Sequence, residues 1–191
     1  VVEECKKHLP EMHQGAFEDP RTRVLHEDAR AYLEKTKERF DLIVVDLPEP
    51  LEEGPACLLF TTEFYTLIRD RLTDNGIMTM QAGMTKINEL FFYGAVNRTL
   101  RDVFPVVAPY QGFISCFGTP WGFILASKGT DPRRQTARDI DALIAARMNP
   151  DTLGYWDGAA HLHSFNLPKF LTNALAKNDR VITDKNPLIV S

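Results

Sequence analysis

The sequence predicts an α/β fold: a mostly parallel sheet with helices on both faces and an antiparallel hairpin closing one edge. Three observations lead there. Strand-like and helix-like stretches alternate from Thr22 to Val103, the pattern of repeated βα units. The run Phe40-Asp41-Leu42-Ile43-Val44-Val45-Asp46 is apolar, and β-branched in its second half, as in a parallel strand covered on both faces. From Val103 to Ser127 no charged residue occurs. Such a stretch is long enough to cross a bilayer, but Pro105, Pro109, Gly112, Gly118, Pro120 and Gly122 interrupt it, so it reads as two strands and a turn.

Each element has a local reason. Val1 to Lys7 has the composition of the middle of a helix, without an N-cap or the apolar core of a signal peptide. Thr22 to His26 reads as a short strand, and Asp28 stands at the N-cap position before Ala29-Arg30-Ala31-Tyr32-Leu33. Leu47 to Phe60 contains Pro48, Pro50, Gly54 and Pro55, and is expected to be an irregular loop, long enough to act as a lid. Thr61 or Thr62 caps a helix through Leu72, and Asn75-Gly76 ends that region and launches the strand Ile77 to Gln81. Further helices are expected over Ile87 to Val103 and Arg138 to Arg147. Asn149 to Asn166 reads as irregular, and Leu167-Pro168-Lys169-Phe170-Leu171 opens a last helix.

Composition narrows the function. The chain has 191 residues, one ordinary domain's worth. Its 22 Lys and Arg against 26 Asp and Glu give a net charge of −4, which leaves no cationic excess to follow a phosphate backbone, so nucleic acid is not expected as a partner. Hydrophobic residues at 44% and charged residues at 25% are those of a globular domain and exclude disorder and coiled coil. Cys5, Cys57 and Cys116 are odd in number and far apart, which fits a reducing, cytoplasmic setting better than a disulfide framework or a zinc site. His161 and His163 lack a third ligand nearby in sequence, so no metal is expected.

In a doubly wound sheet, ligands bind at the carboxyl ends of the strands. Asp46 ends the most apolar strand and faces the long loop, so it is either a functional carboxylate or one that caps the turn through backbone N–H groups. Glu49, Glu52 and Glu53 follow it, an acidic stretch that suits a cationic ligand or is simply a solvated loop. Asp28, at the end of the preceding expected strand, opens to the same side; it can accept from an adenine amino group or cap its helix. Gln81 ends the next strand and can hydrogen-bond a polar ligand. There is no G-x-S-x-G elbow, no phosphate loop and no G-x-G-x-x-G turn.

A family resemblance rests on specific segments. Val1 to Pro10, Gly15-Ala16-Phe17-Glu18-Asp19-Pro20-Arg21, Glu27-Asp28-Ala29, Phe40 to Asp46, Leu59-Phe60-Thr61-Thr62-Glu63-Phe64-Tyr65, Asn75-Gly76-Ile77, Trp121 to Ser127 and His163 to Pro168 run in the order seen in spermidine synthases and related polyamine aminopropyltransferases. The chain resembles them over nearly its whole length. Asp46 to Pro55 and Gln81-Ala82-Gly83 look more like the thermospermine synthases and thermophile-type triamine or agmatine aminopropyltransferases.

The resemblance implies a methyltransferase-like Rossmann domain that moves the aminopropyl group of decarboxylated S-adenosylmethionine, a co-substrate, to putrescine, agmatine or spermidine, releasing methylthioadenosine. It implies Asp46 as the catalytic acid; Asp28, Ala29 and Asp46 at the donor; and Glu49, Gln81, Tyr65 and Trp121 at the acceptor, with no metal or further cofactor. It also implies a cytoplasmic homo-oligomer, dimer or tetramer, away from membranes. Glu49 departs from the family's usual second Asp. The family's N-terminal β domain and Gly-rich donor turn have no counterpart in the sequence, so the chain is expected to be part of a longer enzyme, with its sheet incomplete at the N-terminus. Two other readings stay open. A conventional S-adenosylmethionine methyltransferase would need no acid-rich acceptor loop. A non-catalytic polyamine-binding or oligomerisation module would bind without turnover.

Overall fold

The computed structural model describes residues 1–50 and 55–190; Glu52 and Glu53, expected in the acidic loop, lie outside the described residues. The chain divides into two compact units, Val1–Lys35 and Thr36–Ser191.

In the first unit, α1 (Val2–His8) carries Glu3 and Glu4 in its first turn and Lys6, Lys7 and His8 in its last, the arrangement that complements the helix dipole. A single turn, α2 (Pro10–His13), begins on proline. Helix α3 (Ala29–Lys35) is capped by Asp28, whose carboxylate accepts from the Ala31 N–H at 2.9 Å. Thr22 to His26 is not the expected strand. A strand exists only where a neighbour pairs its backbone groups in a ladder; this segment joins no ladder among the described residues, and the Thr22 N–H donates instead to the Asp19 carbonyl at 2.8 Å.

The second unit is built on a four-stranded sheet. Its strands are β1 (Phe40–Val45), β2 (Leu72–Met84), β3 (Val106–Ile114) and β4 (Thr119–Ser127), in spatial order β1-β2-β4-β3. The α/β class and the edge hairpin are as the sequence predicts. The parallel part is narrower: β1 runs parallel to β2, whereas β2–β4 and β4–β3 are antiparallel. Strand β1 is also not covered on both faces among the described residues, since it lies at the sheet edge with Leu42 and Val44 56% and 63% exposed.

One face of the sheet presents Met78, Met80, Ala82, Ile124 and Ala126, all buried. It packs against α4 (Thr62–Arg71) and α5 (Phe91–Val103). Helix α4 starts where Thr61 Oγ1 accepts from the Phe64 N–H. It passes directly into β2 at Leu72, so Asn75-Gly76 lies inside the strand rather than before it. The pairing with β1 is irregular at this point. Glycine is required there because a Cβ on residue 76 would stand 2.9 Å from the Phe40 carbonyl oxygen. Helix α5 begins four residues later than expected. Part of the expected irregular loop is regular: Pro55–Leu59 forms a 3-10 turn.

On the other side of the hairpin, α6 (Ala137–Arg147) and α7 (Gly158–Phe165) pack together, with α7 against β3. The sequence read Asn149 to Asn166 as irregular. Helix α7 forms because Asp157 accepts from the Ala160 N–H at 2.7 Å and Gly158 donates to Asp141 at 2.7 Å. A Cβ on Gly158 would fall 2.1 Å from the Ala137 carbonyl oxygen, so only glycine permits this approach. His161 is buried on this helix, with Nε2 donating to the Pro132 carbonyl at 3.0 Å. Helix α8 (Lys169–Lys177) follows. The last residues then strap α4 and α5 together: the Ile182 carbonyl accepts from Thr62 N–H, and the Ile182 N–H donates to Thr99 Oγ1, both at 2.9 Å. No helix among the described residues is long and apolar enough to cross a membrane.

Candidate functional site

The register Val45↔Met80 sets the end of β1 beside Gln81 of β2. Asp46 and Gln81 therefore meet at the carboxyl ends of the two parallel strands, the position where open α/β sheets bind ligands. A cleft of about 620 Å³ opens there, lined by Asp46, Glu49, Gln81, Met84, Phe117 and Trp121 among others. Its described lining contains two carboxylates and no Lys, Arg or His.

The Asp46 carboxylate is exposed and makes no hydrogen bond or ion pair with any described residue. It does not cap the turn through described backbone groups, and it remains available to a ligand. The loop that carries it is held from below. Gln81 Nε2 donates to the Leu47 carbonyl at 2.5 Å, while Gln81 Oε1 accepts from the Gly83 N–H and from Trp121 Nε1, both at 3.0 Å. Both ends of the Gln81 amide are thus engaged. It fixes the loop and the indole, and the second N–H of its amide is left for a ligand.

Glu49 is positioned by a bulge. Pairing between β2 and β4 is interrupted between Gln81 and Met84, and Gly83 adopts φ +81, a left-handed conformation open to glycine at little cost. A Cβ at Gly83 would lie 2.9 Å from Glu49 Oε1 and 2.9 Å from the Phe92 ring. The missing side chain is what lets the Glu49 carboxylate approach the strand. The loop is also tied from the C-terminal strap, where Val190 N–H donates to the Pro50 carbonyl at 2.8 Å.

The far wall comes from the hairpin. Trp121 and Phe117 rings sit 4.7 Å apart at 44°, and Ile114 and Phe123 complete the apolar side. None of Ile114, Phe117 and Phe123 stands out in the sequence as a site residue. The signal that finds them is cross-strand register: Gln81↔Phe123, Met84↔Trp121 and Ile114↔Thr119 gather them around the end of β2.

One expected acceptor residue does not line this cleft, and the expected donor residues Asp28 and Ala29 belong to the other unit. Tyr65 is not brought to this cleft. It is fully buried on α4, its hydroxyl directed at Met80 Sδ at 3.4 Å, and burial pushes its pKa well above the ordinary tyrosine value. Asp28 and Ala29 belong to the Val1–Lys35 unit, where Asp28 serves as the cap of α3.

Comparison with known proteins agrees with this architecture. A family model described as Spermine/spermidine synthase domain matches residues 1–136. A polyamine aminopropyltransferase of Synechococcus sp. (strain JA-2-3B'a(2-13)) is 40% identical over 189 residues, 98% of this chain and 61% of that protein. Polyamine aminopropyltransferase 2 of Pseudomonas aeruginosa is 36% identical over 189 residues, 99% of this chain and 54% of that protein. The chain therefore spans less than two thirds of these relatives. Among solved structures, a spermidine synthase in complex with the transition state analogue AdoDATO superposes with a TM-score of 0.79 at 30% identity, covering 92% of this chain and 57% of that one. Spermidine synthase from Thermotoga maritima gives 0.76 at 29% identity, covering 92% and 56%.

Proposed function

The chain belongs to the spermine/spermidine synthase domain family, and from that premise we propose that the full-length protein transfers the aminopropyl group of decarboxylated S-adenosylmethionine to a polyamine. The observation that carries this reading is the pair of carboxylates, Asp46 and Glu49, on a cleft whose described lining is otherwise apolar or neutral. A polyamine has the complementary pattern of ammonium groups spaced by methylenes.

A protonated amine has no lone pair and cannot attack. In the proposed mechanism Asp46 accepts a hydrogen bond from the reacting ammonium and takes its proton. The freed nitrogen lone pair forms a bond to the donor's propyl carbon next to the sulfonium, and the carbon–sulfur bond breaks. Its electron pair stays on sulfur and neutralises it, leaving methylthioadenosine. Glu49 holds a neighbouring ammonium and fixes the acceptor's register, and Trp121 and Phe117 wall the methylenes from water. The chain's own contribution is alignment of two reactants together with relocation of one proton.

Mass spectrometry after incubating the full-length protein with decarboxylated S-adenosylmethionine and a mixture of putrescine, agmatine and spermidine tests the reading. Methylthioadenosine together with one new amine bearing an added aminopropyl group supports it. Neither product, or methyl transfer from ordinary S-adenosylmethionine, overturns it.

A further inference from the structure

A second cleft, of about 550 Å³, lies between α5, α8 and the start of β3, with none of its lining shared with the first. Its volume falls within the ~300–1,000 Å³ of small-molecule sites. Its chemistry is inverted: Arg98, Arg101, Arg133 and Lys177 line it against one acid, Asp179, in a chain whose net charge is −4. Arg98 and Arg101 stand one turn apart on α5, so both reach the same side.

The four cations are not equivalent. Arg133 is pinned by Asp131, whose carboxylate accepts from Nε and Nη2, both at 2.8 Å. Arg98 is paired with Asp102. A guanidinium has five N–H donors, so each pairing orients the side chain and leaves donors unused. The Arg101 and Lys177 side chains make no hydrogen bond or ion pair with any described residue. Each closes the last turn of its helix, where a cation complements the dipole, but that role does not require both to border one cleft. The floor is apolar, with Phe165 and Leu175.

We infer that this cleft binds a nucleoside phosphate. Arg101 and Lys177 engage the phosphates, Arg98 and Arg133 add charge-assisted hydrogen bonds from fixed positions, and the base or sugar lies on the Phe165 side. A cluster of donors alone would suit inorganic phosphate; the adjoining apolar floor selects an anion with an organic part.

The test is equilibrium binding of ATP to the full-length protein by calorimetry at ~50 mM salt, where electrostatic affinity is not screened away. Adenosine and inorganic triphosphate serve as comparison ligands. The expected result is saturable ATP binding, tighter than either comparison ligand. Arg101→Glu and Lys177→Glu each weaken it by ~10-fold or more, and Arg147→Glu on α6, outside the cleft, leaves it unchanged. Thermal melting checks that each variant folds; Arg101→Gln and Lys177→Gln replace any that does not. No saturable binding, binding indifferent to Arg101 and Lys177, or displacement of ATP by methylthioadenosine overturns the inference. Inorganic triphosphate binding as tightly as ATP overturns the nucleoside assignment.

Discussion

Trp121 donates its indole N–H to Gln81 Oε1 at 3.0 Å, and the same Gln81 amide holds the Leu47 carbonyl through Nε2. One side chain on β2 thereby links the hairpin wall of the cleft to the loop that begins at Asp46.

Gln81→Glu places a carboxylate oxygen where a donor now meets the Leu47 carbonyl, acceptor against acceptor. The expected loss is about 1–3 kcal/mol of stability from one broken bond and one unsatisfied carbonyl. Turnover should fall while donor affinity changes little. Denaturant unfolding and the near-ultraviolet dichroism of Trp121 measure the first effect, and steady-state kinetics the second.

Gly83→Ala meets two obstacles: φ +81, and a new Cβ 2.9 Å from both Glu49 and Phe92. The variant should lose ~1–3 kcal/mol and raise KM for the amine, because Glu49 must move. An unchanged acceptor KM would show that Glu49 does not touch the amine.

Tyr65→Phe should leave turnover within a few-fold and stability within ~1 kcal/mol. Its hydroxyl has only the Met80 sulfur as a described partner, inside the core. A large loss of activity with normal melting would place Tyr65 in the acceptor site after all.

Alkaline pH should unfold the protein cooperatively. Burial raises the pKa of Tyr65, Tyr93 and Tyr110 above the ordinary value of 10.0. A raised folded-state pKa means the stabilisation is complete below the unfolded value near 10 and drains away as pH climbs through the folded values. Phenolate absorbance from these three residues should therefore appear together with loss of ellipticity. Phenolate signal from all of them in a fully folded protein would contradict the burial.

Much of the fold is written locally. Asp28, Thr61 and the β-branched run ending at Val45 each announce their element through capping or pattern, and the hairpin is marked by its prolines and glycines. Helix α7 escapes such reading because Asp157-Gly158 looks like a turn, whereas Gly158 is there to admit the Ala137 carbonyl. Asp46 is legible as a strand-end carboxylate. The part played by Gln81 is not, since its partners Leu47 and Trp121 lie 34 and 40 residues away and only the strand order brings them together. Tyr65 shows the opposite effect. Family likeness draws it toward the pocket, while Phe64, Tyr65 and Ile68 form the buried stripe of α4 and place it in the core.

The central claim is that Asp46 supplies the base at the reacting amine. The most direct measurement is the rate of methylthioadenosine release by full-length wild-type and Asp46→Asn proteins, with saturating decarboxylated S-adenosylmethionine and the accepted amine. Asparagine keeps the shape but cannot take the proton, so the rate should fall by ~10²–10⁴-fold while both proteins melt alike. A folded Asp46→Asn protein that releases methylthioadenosine at a near-normal rate would contradict the account.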